Sequence, residues 1–166
     1  MLFRSQTLAA KEQLCEELDR LVGSSVEAEA AASQALSTTE RWAALPAVIP
    51  GWEKKLLARR DAALRALADP AAAGAYATRI EQGRASRHDG LLELEMLLKL
   101  DSPPELQAQR LALQVRQLKE RFSSAATSGA RTPVELLVDW CSQPGLAEAQ
   151  DRQRCERVFA AMEKAR

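Results

Sequence analysis

The sequence predicts an all-α protein of roughly six or seven helices packed as antiparallel helical hairpins. Three observations carry this. The strong helix formers Ala, Leu, Glu, Gln, Arg and Lys fill most of the chain. Aromatics make up only 4% of it, and β-branched residues are sparse, which is too little for a sheet. Between the proline and glycine breaks, apolar residues recur at helical spacing. The length of 166 residues makes one helical domain, 1–166, the default, with 1–68 and 69–166 as the sub-units if it divides.

The first helix is expected over 5–22, where Leu8, Leu14, Leu18, Leu21 and Val22 mark one face. Gly23 stops it, and Ser24 or Ser25 can cap the second, Ala-rich helix, about 25–44, with Val26, Leu36 and Trp42 as its larger apolar residues. Pro46 and Pro50 in "LPAVIPGW" forbid a continuous helix. A third helix, about 51–68, carries Leu56, Leu57, Ala63, Leu64 and Leu67. Asp69 followed by Pro70 reads as an N-cap with proline at the first helical position. The fourth helical stretch runs to about Leu100, weakened by Gly83 and Gly90, and ends in "LLELEMLLKL".

Ser102-Pro103-Pro104-Glu105 reads as a capping box opening a fifth helix across a very short joint. In it the Ser102 hydroxyl accepts from the Glu105 amide, and the Glu105 carboxylate reaches back. Leu111, Val115, Leu118 and Phe122 then follow at steps of four, three and four, a clean apolar stripe. A proline-rich ligand segment would need an exposed extended stretch, which a joint this short does not supply. Glu95 lies among Leu91, Leu94, Leu97 and Leu98, where a carboxylate needs a partner. A tight hairpin puts position 95 near 108, so a buried Glu95–Arg110 ion pair is expected. Ser123–Arg131 reads as a loop. Thr132-Pro133-Val134-Glu135 repeats the capping device before a short helix with Leu136, Leu137 and Trp140. A last helix, about 146–164, presents Cys155, Val158, Phe159 and Met162. The stretches after Trp42 and Trp140 echo one another as Trp, proline turn and Arg-bearing helix, but two copies do not make a solenoid.

Leu94-Glu95-Met96-Leu97, then Ser102-Pro103-Pro104-Glu105, then Arg110-Leu111 through Gln114-Val115 to Leu118 resemble the bacterial family known as domain of unknown function 349. "KEQLCEELDRLV" and "RWAALPAVIPGWEKKLLARRDAAL" resemble that family's flanking helices, with Arg60 where the family often has Phe. The resemblance covers most of the chain and looks like the C-terminal portion of the family. It implies helical architecture and brings no catalytic motif.

Function classes are narrowed mainly by exclusion. Lys plus Arg equals Asp plus Glu, 23 each, so a globally basic nucleic-acid binder is not indicated. The charge is patchy: Met1–Glu40 is acidic, whereas Arg41–Ala68 and Ser102–Arg131 are basic. Cys15, Cys141 and Cys155 are far apart and odd in number, which argues against a disulfide framework or a zinc site and fits a reducing, cytoplasmic location. No uncharged run reaches the ~20 residues of a membrane span, and the start lacks an export signal. Neither common phosphate-binding glycine motif occurs. The single histidine, His88, sits beside Asp89 on a solvated helix face and finds no second ligand at helical spacing. No catalytic residue, cofactor or metal ligand is therefore expected. The expected function is a non-catalytic helical scaffold or protein-interaction module. Its partner and oligomeric state are not specified by the sequence. The alternative is a nucleic-acid-associated protein using Lys54, Lys55, Arg59 and Arg60 as a basic stripe, with Trp52 beside it.

Overall fold

The structure, a computed structural model, describes residues 5–24, 26–123 and 132–164. Among these are eight α-helices and no strand. They are α1 (Ser5–Val22), α2 (Ala28–Ala43), α3 (Pro50–Ala68), α4 (Pro70–Gln82), α5 (Arg84–Leu97), α6 (Gln107–Ser123), α7 (Pro133–Ser142) and α8 (Ala149–Lys164). The count exceeds expectation because the fourth stretch breaks at Gly83 into α4 and α5. Gly90 does not break α5; a side chain there would press on the Trp140 ring of α7.

Local signals placed most boundaries. The Asp69 carboxylate accepts from Ala71 N at 3.0 Å and caps α4, with Pro70 leading the helix. Thr132 and Glu135 form the capping box of α7: the Thr132 hydroxyl accepts from Glu135 N at 3.2 Å, and Glu135 Oε2 accepts from Thr132 N at 3.4 Å. Two expected caps fail. Glu27, not a serine, stands at the start of α2 and makes no side-chain cap, while Ser24 Oγ donates backward to Leu21 O; Ser25 lies outside the described residues. Ser102 makes no cap either, since α6 is led in by a 3-10 turn, Pro104–Leu106, with Pro103 before it. The joint is thus longer than expected. α5 ends in a Schellman turn: Lys99 takes the left-handed conformation (φ 58°), Lys99 N donates to Met96 O, and Leu100 N donates to Glu95 O. The loop expected over Ser123–Arg131 lies, from residue 124 on, outside the described residues.

α1 packs against α2, α3, α4, α7 and α8. The larger core cluster joins Leu8, Leu14 and Cys15 of α1 to Leu56 of α3, Leu91 and Leu94 of α5, Trp140 and Cys141 of α7, and Val158 and Phe159 of α8. A second cluster gathers Leu18, Ala63, Ala66, Tyr76 and Ile80. α6 stands apart: among the described residues it packs mainly on α5 and on the turn that leads into it.

Candidate functional site

An amphipathic helix ordinarily turns its apolar stripe toward the core and its polar face to water. α6 does the reverse. Leu113 is its only buried residue. The stripe found in the sequence lies roughly 140–180° around the helix from Leu113, at about 3.6 residues per turn. It points outward, with Leu111 62%, Val115 44%, Leu118 51% and Phe122 85% exposed. Polar contacts hold the inner face to α5 and to the joint that follows it. Arg110 Nη1 donates to Leu100 O (2.7 Å) and Ser102 Oγ (2.7 Å), Gln117 donates to Glu93 (2.9 Å), and Gln109 meets His88 (2.8 Å). Arg116 lies 3.7 Å from Asp89. The spacing revealed the stripe; only the tertiary structure shows which side of the helix the protein occupies.

Glu95 is buried and paired, but not with Arg110. Its carboxylate accepts from Arg154 of α8 (Nε 3.1 Å, Nη2 2.5 Å) and from Ser102 Oγ (3.0 Å). Arg110 reaches the same serine. Ser102 is therefore a hydroxyl bridge in a chain Arg154–Glu95–Ser102–Arg110, and that role replaces the expected cap and the expected ion pair. Pro103 and Glu105 belong to the joint, where exposed Glu105 accepts from Gln150 of α8 (3.1 Å).

The basic stripe of α3 does not form one surface. Arg59 is in the interior. Its Nε and Nη2 donate to Asp19 Oδ2 (3.2 and 2.8 Å), its Nη1 to Glu12 (3.4 Å) and Cys141 O (2.7 Å), and its Nη2 also to Gly145 O (3.1 Å). Arg60 pairs with Asp61 and lies over the Trp42 ring. Lys55 pairs with Asp139 (2.7 Å), and Trp52 is half-buried against the core. Lys54 is exposed. Arg59 occupies a core place because 56, 59, 63 and 66 form the buried face of α3. The matching acids lie on α1, where Leu8, Glu12, Cys15 and Asp19 follow at steps of four, three and four.

A buried charge network grows from this pair. Asp19 also accepts from the Tyr76 hydroxyl and from Gly145 N (3.0 Å). Glu12 meets Arg87 (3.5 Å) and Arg152 (3.3 Å). Glu16 pairs with Arg20 and Arg152 and accepts from Ala147 N (3.0 Å). Lys11 pairs with Glu53 (2.7 Å), which also accepts from Trp42 Nε1 (3.1 Å). Burial pushes Glu12 up, but Arg59, Arg87 and Arg152 outweigh it and hold its carboxyl below the ordinary value. Burial also raises Glu53, and again Lys11 and Trp42 bring it below. Burial lifts the Cys15 and Cys155 thiols to about 12 and Cys141 well above its ordinary value, so all three are protonated and poor nucleophiles at neutral pH.

A cleft of about 650 Å³ lies beside this network, lined in part by Arg84, Arg87, His88, Asp89, Trp140 and Asp151. Most of its polar groups already have partners. Arg87 stacks on Trp140 (4.0 Å) and donates to Trp140 O (3.0 Å) and Gln143 O (2.8 Å). Arg84 pairs with Glu81, and Asp151 with Arg154. Among the described residues no group of three His, Cys, Asp or Glu is placed to hold a metal, and no helix is long and apolar enough to cross a membrane. No family model, curated protein or solved structure matches the chain. The most unusual element of the geometry is the outward apolar face of α6.

Proposed function

We propose that the chain is a non-catalytic helical scaffold, a protein-interaction module that presents α6 to a partner. The observation that carries this is the inverted helix: four large apolar side chains face water while polar groups face the protein. Contiguous exposed apolar surface of this kind marks interaction sites more than chance exposure does. The buried network gives the scaffold a fixed shape behind that face. We read the helices as antiparallel hairpins and the chain as cytosolic, the latter supported by three free buried thiols. The likeness to domain of unknown function 349 is proposed on the Ser102–Glu105 joint and its flanking helices. Nucleic-acid association is the weaker reading, because Arg59 is inside and Lys55 and Arg60 are paired.

The test is affinity purification from native cytosol, with and without nuclease, comparing the wild type with Val115→Asp/Leu118→Asp. A partner that survives nuclease and disappears with the variant supports the module. Recovery that nuclease abolishes, or that the variant leaves unchanged, overturns it.

A further inference from the structure

The outward stripe of α6 has the spacing of a coiled-coil seam, with apolar side chains at steps of four, three and four. Its flanks are not neutral. Lys119 lies on one side of the seam and Arg121 on the other, both exposed, with Arg116 further round. The remaining flank positions, Gln107, Ala108, Ala112 and Gln114, are uncharged and exposed. Glu120, the one acidic residue of α6, lies on the Leu113 side and not along the seam. Phe122, the most exposed large apolar side chain among the described residues, is of the aromatic type that anchors interfaces.

These charges choose the occupant. A second copy of this chain would bring another apolar seam, but its flanks would again be cationic or neutral. No α6 carboxylate would meet Lys119 or Arg121, and a seam of under two heptads without such pairs holds a two-stranded coil poorly. We propose that α6 docks an amphipathic helix of another protein, one with apolar residues at the same spacing and Asp or Glu flanking them. The apolar seam supplies the contact area. The acidic flanks meet Lys119 and Arg121 and set the partner's choice and register, as flanking charges do in paired helices. This inference rests on the reading of the chain as an interaction module and adds the partner's chemistry to it.

The experiment uses the full chain and two synthetic helical peptides with identical leucine seams, one flanked by Glu and its twin by Lys, followed by fluorescence anisotropy. The Glu peptide is expected to bind at least about tenfold more tightly at low salt, with the gap narrowing as salt screens it. Leu118→Asp should abolish binding of both peptides, and Lys119→Glu/Arg121→Glu should reverse the preference. These side chains are exposed, so circular dichroism should show unchanged helix content and melting. Equal binding of both peptides would sink the acidic partner while leaving the docking module intact. Self-association on sedimentation, lost in Leu118→Asp, would make the occupant a second copy and overturn the inference. Binding of neither peptide by a monomeric chain would overturn both the inference and the module.

Discussion

Replacing Arg59 with methionine should be among the most damaging single changes available in this protein. The side chain is fully enclosed and donates five hydrogen bonds, two to Asp19, one to Glu12 and two to the Cys141 and Gly145 carbonyls. Methionine replaces the aliphatic stem but leaves the guanidinium's place unfilled and supplies no donor. Glu12 would keep Arg87 and Arg152, whereas Asp19 would retain only the Tyr76 hydroxyl and the Gly145 amide. Removing one partner of a buried pair costs about 3–5 kcal/mol. A domain of this size has about 5–15 kcal/mol in total, so the variant should lie near the edge of stability. Urea denaturation followed by circular dichroism measures the loss. Arg59→Lys keeps the charge but not the planar fork, and should fall between methionine and wild type. The cycle with Asp19→Asn should show coupling, because the two substitutions remove the same interaction. A midpoint within about 0.5 kcal/mol of wild type, the ordinary cost of a surface substitution, would refute the interior placement of Arg59.

Four further outcomes are expected. Ser102→Ala should cost about 1–3 kcal/mol, because Glu95 loses a donor and Arg110 an acceptor; an unchanged urea midpoint would contradict the hydroxyl bridge. Gly145→Ala should destabilise by about 1–3 kcal/mol or more in a thermal melt, since the added methyl would overlap the Arg87 guanidinium. Glu12 and Glu53 have folded-state pKa values below their ordinary ones, so their contribution is present above about pH 4.3 and is lost as acid protonates them; a urea midpoint that stays flat from neutral pH to below that range would argue against it. The three buried thiols should react with a thiol reagent only on unfolding, and rapid labelling of the native chain would contradict their burial.

The helix boundaries were legible where the signal is local. Asp69-Pro70 and Thr132-Pro133 cap their helices as their side-chain chemistry demands. Ser102-Pro103-Pro104-Glu105 has the same pattern as Thr132–Glu135 and another outcome, because its hydroxyl donates to buried Glu95 and accepts from Arg110, and the chain enters α6 through a 3-10 turn. Glu95 was legible as a buried carboxylate, since its neighbours are leucines. Its partner was not, because Arg154 is 59 residues away and nothing local announces it. Arg59 shows a signal that charge-counting passes over: it sits at the step between Leu56 and Ala63 on the core face of α3. The face of α6 was not legible at all. Periodicity tells that a stripe exists, and the side it turns toward is decided by residues elsewhere.

The network around α1 also has a consequence for the order in which the chain comes together. Lys11, Glu12, Glu16 and Asp19 emerge early in synthesis, yet the Gly145 and Ala147 amides that meet Asp19 and Glu16 come 126 and 131 residues later. Arg152 comes 140 residues after Glu12, and Glu163 meets Ser5 across 158. Until those groups arrive, Asp19 has Arg59 and Tyr76 and Glu16 has Arg20, but each lacks the later donors that complete its set. The N-terminal helix therefore lacks its C-terminal partners through most of translation. Contacts this distant in sequence slow the search for the native state, because a large loop is closed before any of them is made. A nascent chain that stops before Gly145 would expose leucines and carboxylates on one helix, the kind of surface that chaperones hold.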